Sequence, residues 1–157
     1  VTIEVALFLH LLGAFSLVSG TILAGAAFEG ARRRQSPRDV ALLLGLTRIG
    51  VALVGLGTLV VLPFGLWLVH LELWSWGAAW IDTALALLVV MAALGTIGGQ
   101  KPKQARRLAK RLAADGVQDD DRLRALLDDP GARAANYLSA LLLLAIIALM
   151  VFKPGAY

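Results

Sequence analysis

Residues 7–20 read LFLHLLGAFSLVSG. The stretch holds no carboxylate, lysine or arginine, and the apolar run around it extends over about 4–28. A helix of that length, at roughly 1.5 Å per residue, crosses the roughly 30 Å hydrocarbon core of a bilayer. Three more runs of the same kind follow, over about 41–69, 78–98 and 133–152. The chain is 59% hydrophobic with a mean hydropathy of +0.76, whereas a soluble domain is typically about 45–50% apolar. The pattern predicts an all-α protein: a single membrane domain over 1–157, folded as an antiparallel bundle of four transmembrane helices with a helical amphipathic loop at 99–132. The first run reads as a membrane helix rather than a cleavable leader, because it lacks a basic flank and exceeds the length of a leader's apolar region.

The charges set the expected topology. Of fifteen lysines and arginines, four lie in 32–38 and nine in 101–133, while HLELWSWG at 70–77 carries none. Basic loops stay cytoplasmic, so both termini are expected outside, in a cell (inner) membrane protein. The net charge of +4 then points to lipid rather than nucleic acid, with anionic headgroups as the partners of 101–111. There is no cysteine, which excludes disulfides, iron–sulfur clusters and thiol catalysis. No phosphate-binding glycine loop, HExxH, GxSxG or EF-hand pattern occurs, and whether the chain is an enzyme stays open.

Local signals refine the elements. Ser36-Pro37-Arg38-Asp39 reads as a helix start, with Ser36 as cap and Pro37 at the first position. The helix from there to about His70 would be about 50 Å long and must tilt, bend or project, and Pro63 in VVLPFGLW is the place for a bend. Trp67, Trp74, Trp76 and Trp80 read as an interfacial belt. In the long loop, Ala105, Leu108, Ala109, Leu112 and Ala113 form an apolar stripe opposite Lys103, Arg106, Arg107, Lys110 and Arg111, the pattern of a helix lying on a membrane surface. Gly116 can end it. Asp129-Pro130 starts the last helix.

Ionisable groups inside membrane helices mark partners or cavities. His10, Glu29, Arg48, His70 and Asp82 qualify, with Glu4 and Glu72 at the rim. His10, His70 and Asp82 all fall toward one side of the membrane. Gly13 and Ala14 leave room beside His10, and Gly13, Ser16 and Gly20 equally suit close helix packing. His10 is read either as hydrogen-bonded to another helix, for instance to Asp82, or as a ligand. Neutral imidazole ligates haem iron or copper, with His70 as the second ligand to haem, or His70 and Asp82 completing a metal site. Glu29 and Arg48 are placed to pair near the basic side.

LHLLGAFSLVSG, with His10 followed ten residues later by Gly20, and PFGLWLV resemble the first two helices of a group of small bacterial membrane proteins. The group includes the copper-resistance D family and the haem-dependent membrane protoporphyrinogen oxidase family. The overall layout is closest to an uncharacterised bacterial four-helix integral membrane family. The resemblance implies haem b bound through His10 alone; Gly13 and Gly20 join it as cofactor-binding candidates by their place on the same helix. Leu17 stands where the oxidases have tryptophan, and Trp80-Ile81-Asp82 where they have a basic residue, so it implies haem binding rather than that oxidase activity. Three function classes follow: a haem b protein for electron transfer or redox chemistry, a copper- or metal-handling protein, and a cofactor-free accessory subunit. Four helices offer little interior for a macrocycle, which leaves room for a homodimer or a larger membrane complex.

Overall fold

The computed structural model describes residues 2–72, 76 and 78–155. Six helices follow in order: α1 Thr2–Arg32, α2 Pro37–Leu71, α3 Ala79–Gly98, α4 Gln100–Ala114, α5 Asp121–Leu127 and α6 Pro130–Phe152. Four stretches are long and apolar enough to span a membrane, anchored on α1, α2, α3 and α6. Their outer faces carry large apolar side chains, with Phe15, Leu59 and Ile97 each more than 70% exposed. In water such surfaces would aggregate; in lipid they are solvated.

Helices pair unevenly. α1 packs along the whole of α2, and α3 packs chiefly on α6, with far less contact between the two pairs. The α1–α2 contact follows from spacing. Ala6, Gly13, Gly20 and Ala27 recur every seven residues and are all buried, and Gly50 and Gly57 repeat that spacing on α2. A period of seven keeps one stripe of a helix facing its partner along a left-handed crossing. With no side chain at those points the backbones touch. A Cβ on Gly13 would sit 2.6 Å from the Val61 nitrogen, and one on Gly57 2.5 Å from the Leu17 nitrogen. Ser16 adds a bond from its hydroxyl to the Leu53 carbonyl at 3.0 Å.

The largest buried cluster lies at the basic end. Phe28 and Ala31 of α1, Val40 and Leu44 of α2, Ala105, Ala109 and Leu112 of α4, Leu123 and Leu127 of α5, and Ala132 of α6 form a cap. The extra length of α2 serves this cap, since Val40 and Leu44 lie in its first turns. It also corrects the expected surface helix: the apolar stripe of α4 is covered by the protein's own helices and is not available for insertion into lipid. An amphipathic period reports that a helix has one covered face; it does not say whether lipid or protein covers it.

Helix ends mostly follow the local signals. Asp120 accepts from the Leu123 amide at 2.8 Å and Asp129 from the Ala132 amide at 2.9 Å, each satisfying an orphan donor of a first turn. Gly116 is left-handed at φ 70°, and the Val117 amide closes on the Leu112 carbonyl at 3.0 Å, a Schellman ending. Ser36 is the exception. It occupies the cap position before Pro37, but its side chain makes no capping bond.

Arg32 ties α1 to α5, bonding Glu29 at 2.7 Å and Asp128 at 2.9 Å. These hydrogen bonds to Asp128 and Glu29 raise its pKa above the ordinary guanidinium value. Glu29 also meets Arg33 at 3.7 Å. The expected Glu29–Arg48 pair is therefore not formed. The antiparallel register that sets Gly20 against Gly50 places Arg48 opposite about residue 22, two turns short of Glu29.

Candidate functional site

Where the two helix pairs diverge, toward the end opposite the basic cap, they leave a half-open cavity of about 400 Å³. Its walls are aliphatic, including Leu7, Leu11 and Ala14 of α1, Leu62 and Leu66 of α2, Leu85 and Leu88 of α3, and Ile146 and Ile147 of α6. The polar lining comes from His10 within the wall and Glu72 and Lys153 at helix ends, beside the indole of Trp80. The Lys153 Nζ lies 5.7 Å from the centre of that indole, within cation–π range. Lys153 closes α6 in a left-handed conformation at φ 42°, uncommon for a residue with a side chain.

His10 is held by α2. Its Nδ1 lies 2.9 Å from the Val61 carbonyl oxygen. A carbonyl only accepts, so Nδ1 carries the proton; in the neutral ring the lone pair is then on Nε2. The ring lies against Gly65, where a Cβ would come 2.9 Å from the His10 Cε1. Sequence reading foresaw a bond to another helix but named Asp82; the partner is a main-chain oxygen. An imidazole fixed through Nδ1–H by a carbonyl, with Nε2 unprotonated, is the arrangement that orients histidine as a ligand.

Of the other residues singled out, Glu72 and Trp80 line this cavity, but the expected ligands and glycines do not. Gly13 and Gly20 face α2, and the space beside them is filled by its backbone. They bring the helices together and open no room for a flat macrocycle; of the small residues near His10, Ala14 lines the cavity. His70 is exposed. It lies five residues, about 140° of helical rotation, from the Gly65 that meets His10, so the two histidines do not face one cavity. Asp82 is exposed beside the buried Ile81 that lines the wall. Among the described residues no three His, Cys, Asp or Glu side chains come together to hold a metal ion. Hence the expected set of His10, His70 and Asp82 is not assembled.

Tryptophans divide as well. Trp67 and Trp76 are exposed, as an interfacial belt requires, but Trp80 is 5% exposed and packs with Val69 and Ile81. Trp74 lies outside the described residues. Sequence reasoning also missed Lys153 as part of the site; as a single cation beyond an apolar helix it looks like an ordinary helix terminator.

Four apolar spans and a lipid-solvated surface describe a membrane protein, and comparison with known families agrees. Residues 4–154 match the model of a family described as predicted integral membrane protein (DUF2269). The chain belongs to this family. As a DUF2269 member it is an integral membrane protein, and the match covers all four spans and the basic cap between the third and fourth. No curated protein and no solved structure matches it.

Proposed function

We propose that this DUF2269 protein binds a flat, largely apolar cofactor, haem b, in the cavity between its helix pairs, where Nε2 of His10 would hold it. One observation carries the reading: His10 is fixed through Nδ1–H to the Val61 carbonyl in a cavity of about 400 Å³ lined mainly by aliphatic side chains, with Glu72, Lys153 and Trp80 also in its lining. Aliphatic walls suit a porphyrin's faces, and Lys153, which shares the lining with the carboxylate of Glu72, would be the cation for its acidic edge. The resemblance of the first two helices to the haem-dependent oxidase group points the same way. Bound there, haem would supply one-electron chemistry, and the apolar walls would keep water from the iron. The chain's own part is to hold the imidazole in one tautomer and to present a cation at the rim. The copper reading lacks a converging donor set among the described residues, and in the accessory reading the His10–Val61 bond would serve only to lock α1 to α2.

The basic cap belongs on the cytoplasmic side of the cell membrane by the positive-inside rule, which puts the cavity in the outer leaflet. Titrating haemin into the purified protein tests the reading. Saturable binding with a Soret maximum, lost in His10→Gln, supports it. That variant keeps an amide donor for Val61 and removes the imidazole. Equal binding by both proteins rejects it.

A further inference from the structure

The basic cap carries a second concavity, far from His10. Gln104, Arg107, Leu108 and Arg111 of α4 and Arg122 and Leu126 of α5 line a groove of about 240 Å³. On α4 the four positions follow the i, i+3, i+4, i+7 rule and share one face, and Arg122 and Leu126 are one turn apart on α5. Three guanidinium groups thus line one groove, and no carboxylate lines it.

Several carboxylates of the cap are taken up by other cations. Arg32 and Arg33 bond Glu29, Arg32 also bonds Asp128, Arg124 bonds Asp119 and Lys101 meets Asp129. Asp120 is used in capping α5. Among the described residues Arg107, Arg111 and Arg122 form no ion pair. Like charges on one helix face one turn apart repel, and each such pair costs a few tenths of a kcal/mol. Just outside the groove, Arg106 is held below the ordinary guanidinium value by partial burial and by its neighbours Arg48 and Arg107. Positive charge is therefore concentrated where α4 meets α5 and α2.

We infer that this groove is a binding site for a phosphate-bearing anion, gripped by Arg107, Arg111 and Arg122, with Gln104 as a neutral donor and Leu108 and Leu126 as its floor. Guanidinium forks match phosphate oxygens in pairs. The phosphate can come from an anionic lipid headgroup or from a soluble phosphate compound. The inference does not depend on haem, since α4 and α5 lie outside the His10 cavity.

The test uses the full chain, the triple variant Arg107→Gln/Arg111→Gln/Arg122→Gln, and a control of equal charge, Arg34→Gln/Arg38→Gln/Lys110→Gln, whose cations lie off the groove. Pyrophosphate binding is measured by calorimetry in neutral detergent. Phosphatidylglycerol retention is measured by native mass spectrometry from nanodiscs of phosphatidylcholine with phosphatidylglycerol. The expected result is at least about a tenfold loss in the groove variant and little change in the control. Loss of retained phosphatidylglycerol alone identifies the lipid as source; loss of pyrophosphate affinity identifies a soluble one. No binding of either probe by the native chain, or equal losses in both variants, overturns the inference.

Discussion

Gly20 of α1 and Gly50 of α2 meet backbone to backbone: a Cβ on Gly20 would lie 2.6 Å from the Gly50 carbonyl oxygen, and one on Gly50 2.7 Å from that of Gly20. This reciprocal contact fixes the α1–α2 hairpin, and the hairpin positions His10. In lipid the apolar surfaces of helices gain nothing by leaving water, so close packing and polar bonds must hold helices together.

Gly20→Ala should therefore destabilise the protein by about 1–3 kcal/mol, the usual cost of an overpacked contact. Gly55→Ala should be neutral or slightly stabilising, because a Cβ there meets nothing within 4 Å and alanine is the better helix former. Denaturation in detergent micelles compares the two.

Gly65→Ala leaves His10 in place but sets a methyl 2.9 Å from its Cε1. The imidazole must swing away, and its bond to Val61 must lengthen. The expected outcome is weaker haem binding, by about tenfold or more, with unfolding stability changed by less than about 1.5 kcal/mol. Haemin titration and denaturation of the same sample separate these effects.

Arg32→Ala should loosen the cap. Arg32 is mostly covered, with 14% of its side chain exposed, but Asp128 is 62% exposed, so the loss is about 1–2 kcal/mol after solvent screening. The sign of the pH dependence follows from the raised Arg32 pKa. Its contribution is fully present below the ordinary guanidinium value and disappears only as pH rises through the raised one. Between pH 6 and 9, roughly the range in which guanidinium stays charged, the penalty of Arg32→Ala should not vary through Arg32. Thermal unfolding across that range checks it.

Asp120→Ala removes the acceptor of the Leu123 amide and should cost about 1 kcal/mol. The damage should stay local. Hydrogen exchange should quicken over α5 while the amides of α1 and α2 keep their protection.

The four spans, the cap at Asp129, the Gly116 ending and the long α2 were all legible, because each rests on local composition and spacing. Three features were not. Gly13 and Gly20 suggest free space or close packing equally well, and only the register of α1 on α2 shows α2 filling the gap. The amphipathic face of α4 reads alike whether lipid or Phe28 and Leu44 lie beneath it. His10 is bonded to a main-chain oxygen, and every residue has one, so Val61 left no signal.

The central claim is that His10 ligates haem in the cavity, and the optical spectrum of protein purified from haem-replete membranes tests it most directly. The native chain should show a Soret band that shifts on reduction, and the band should be absent from His10→Gln and unaffected in His70→Gln. A native chain that purifies folded and colourless, or a band that survives His10→Gln, would contradict it.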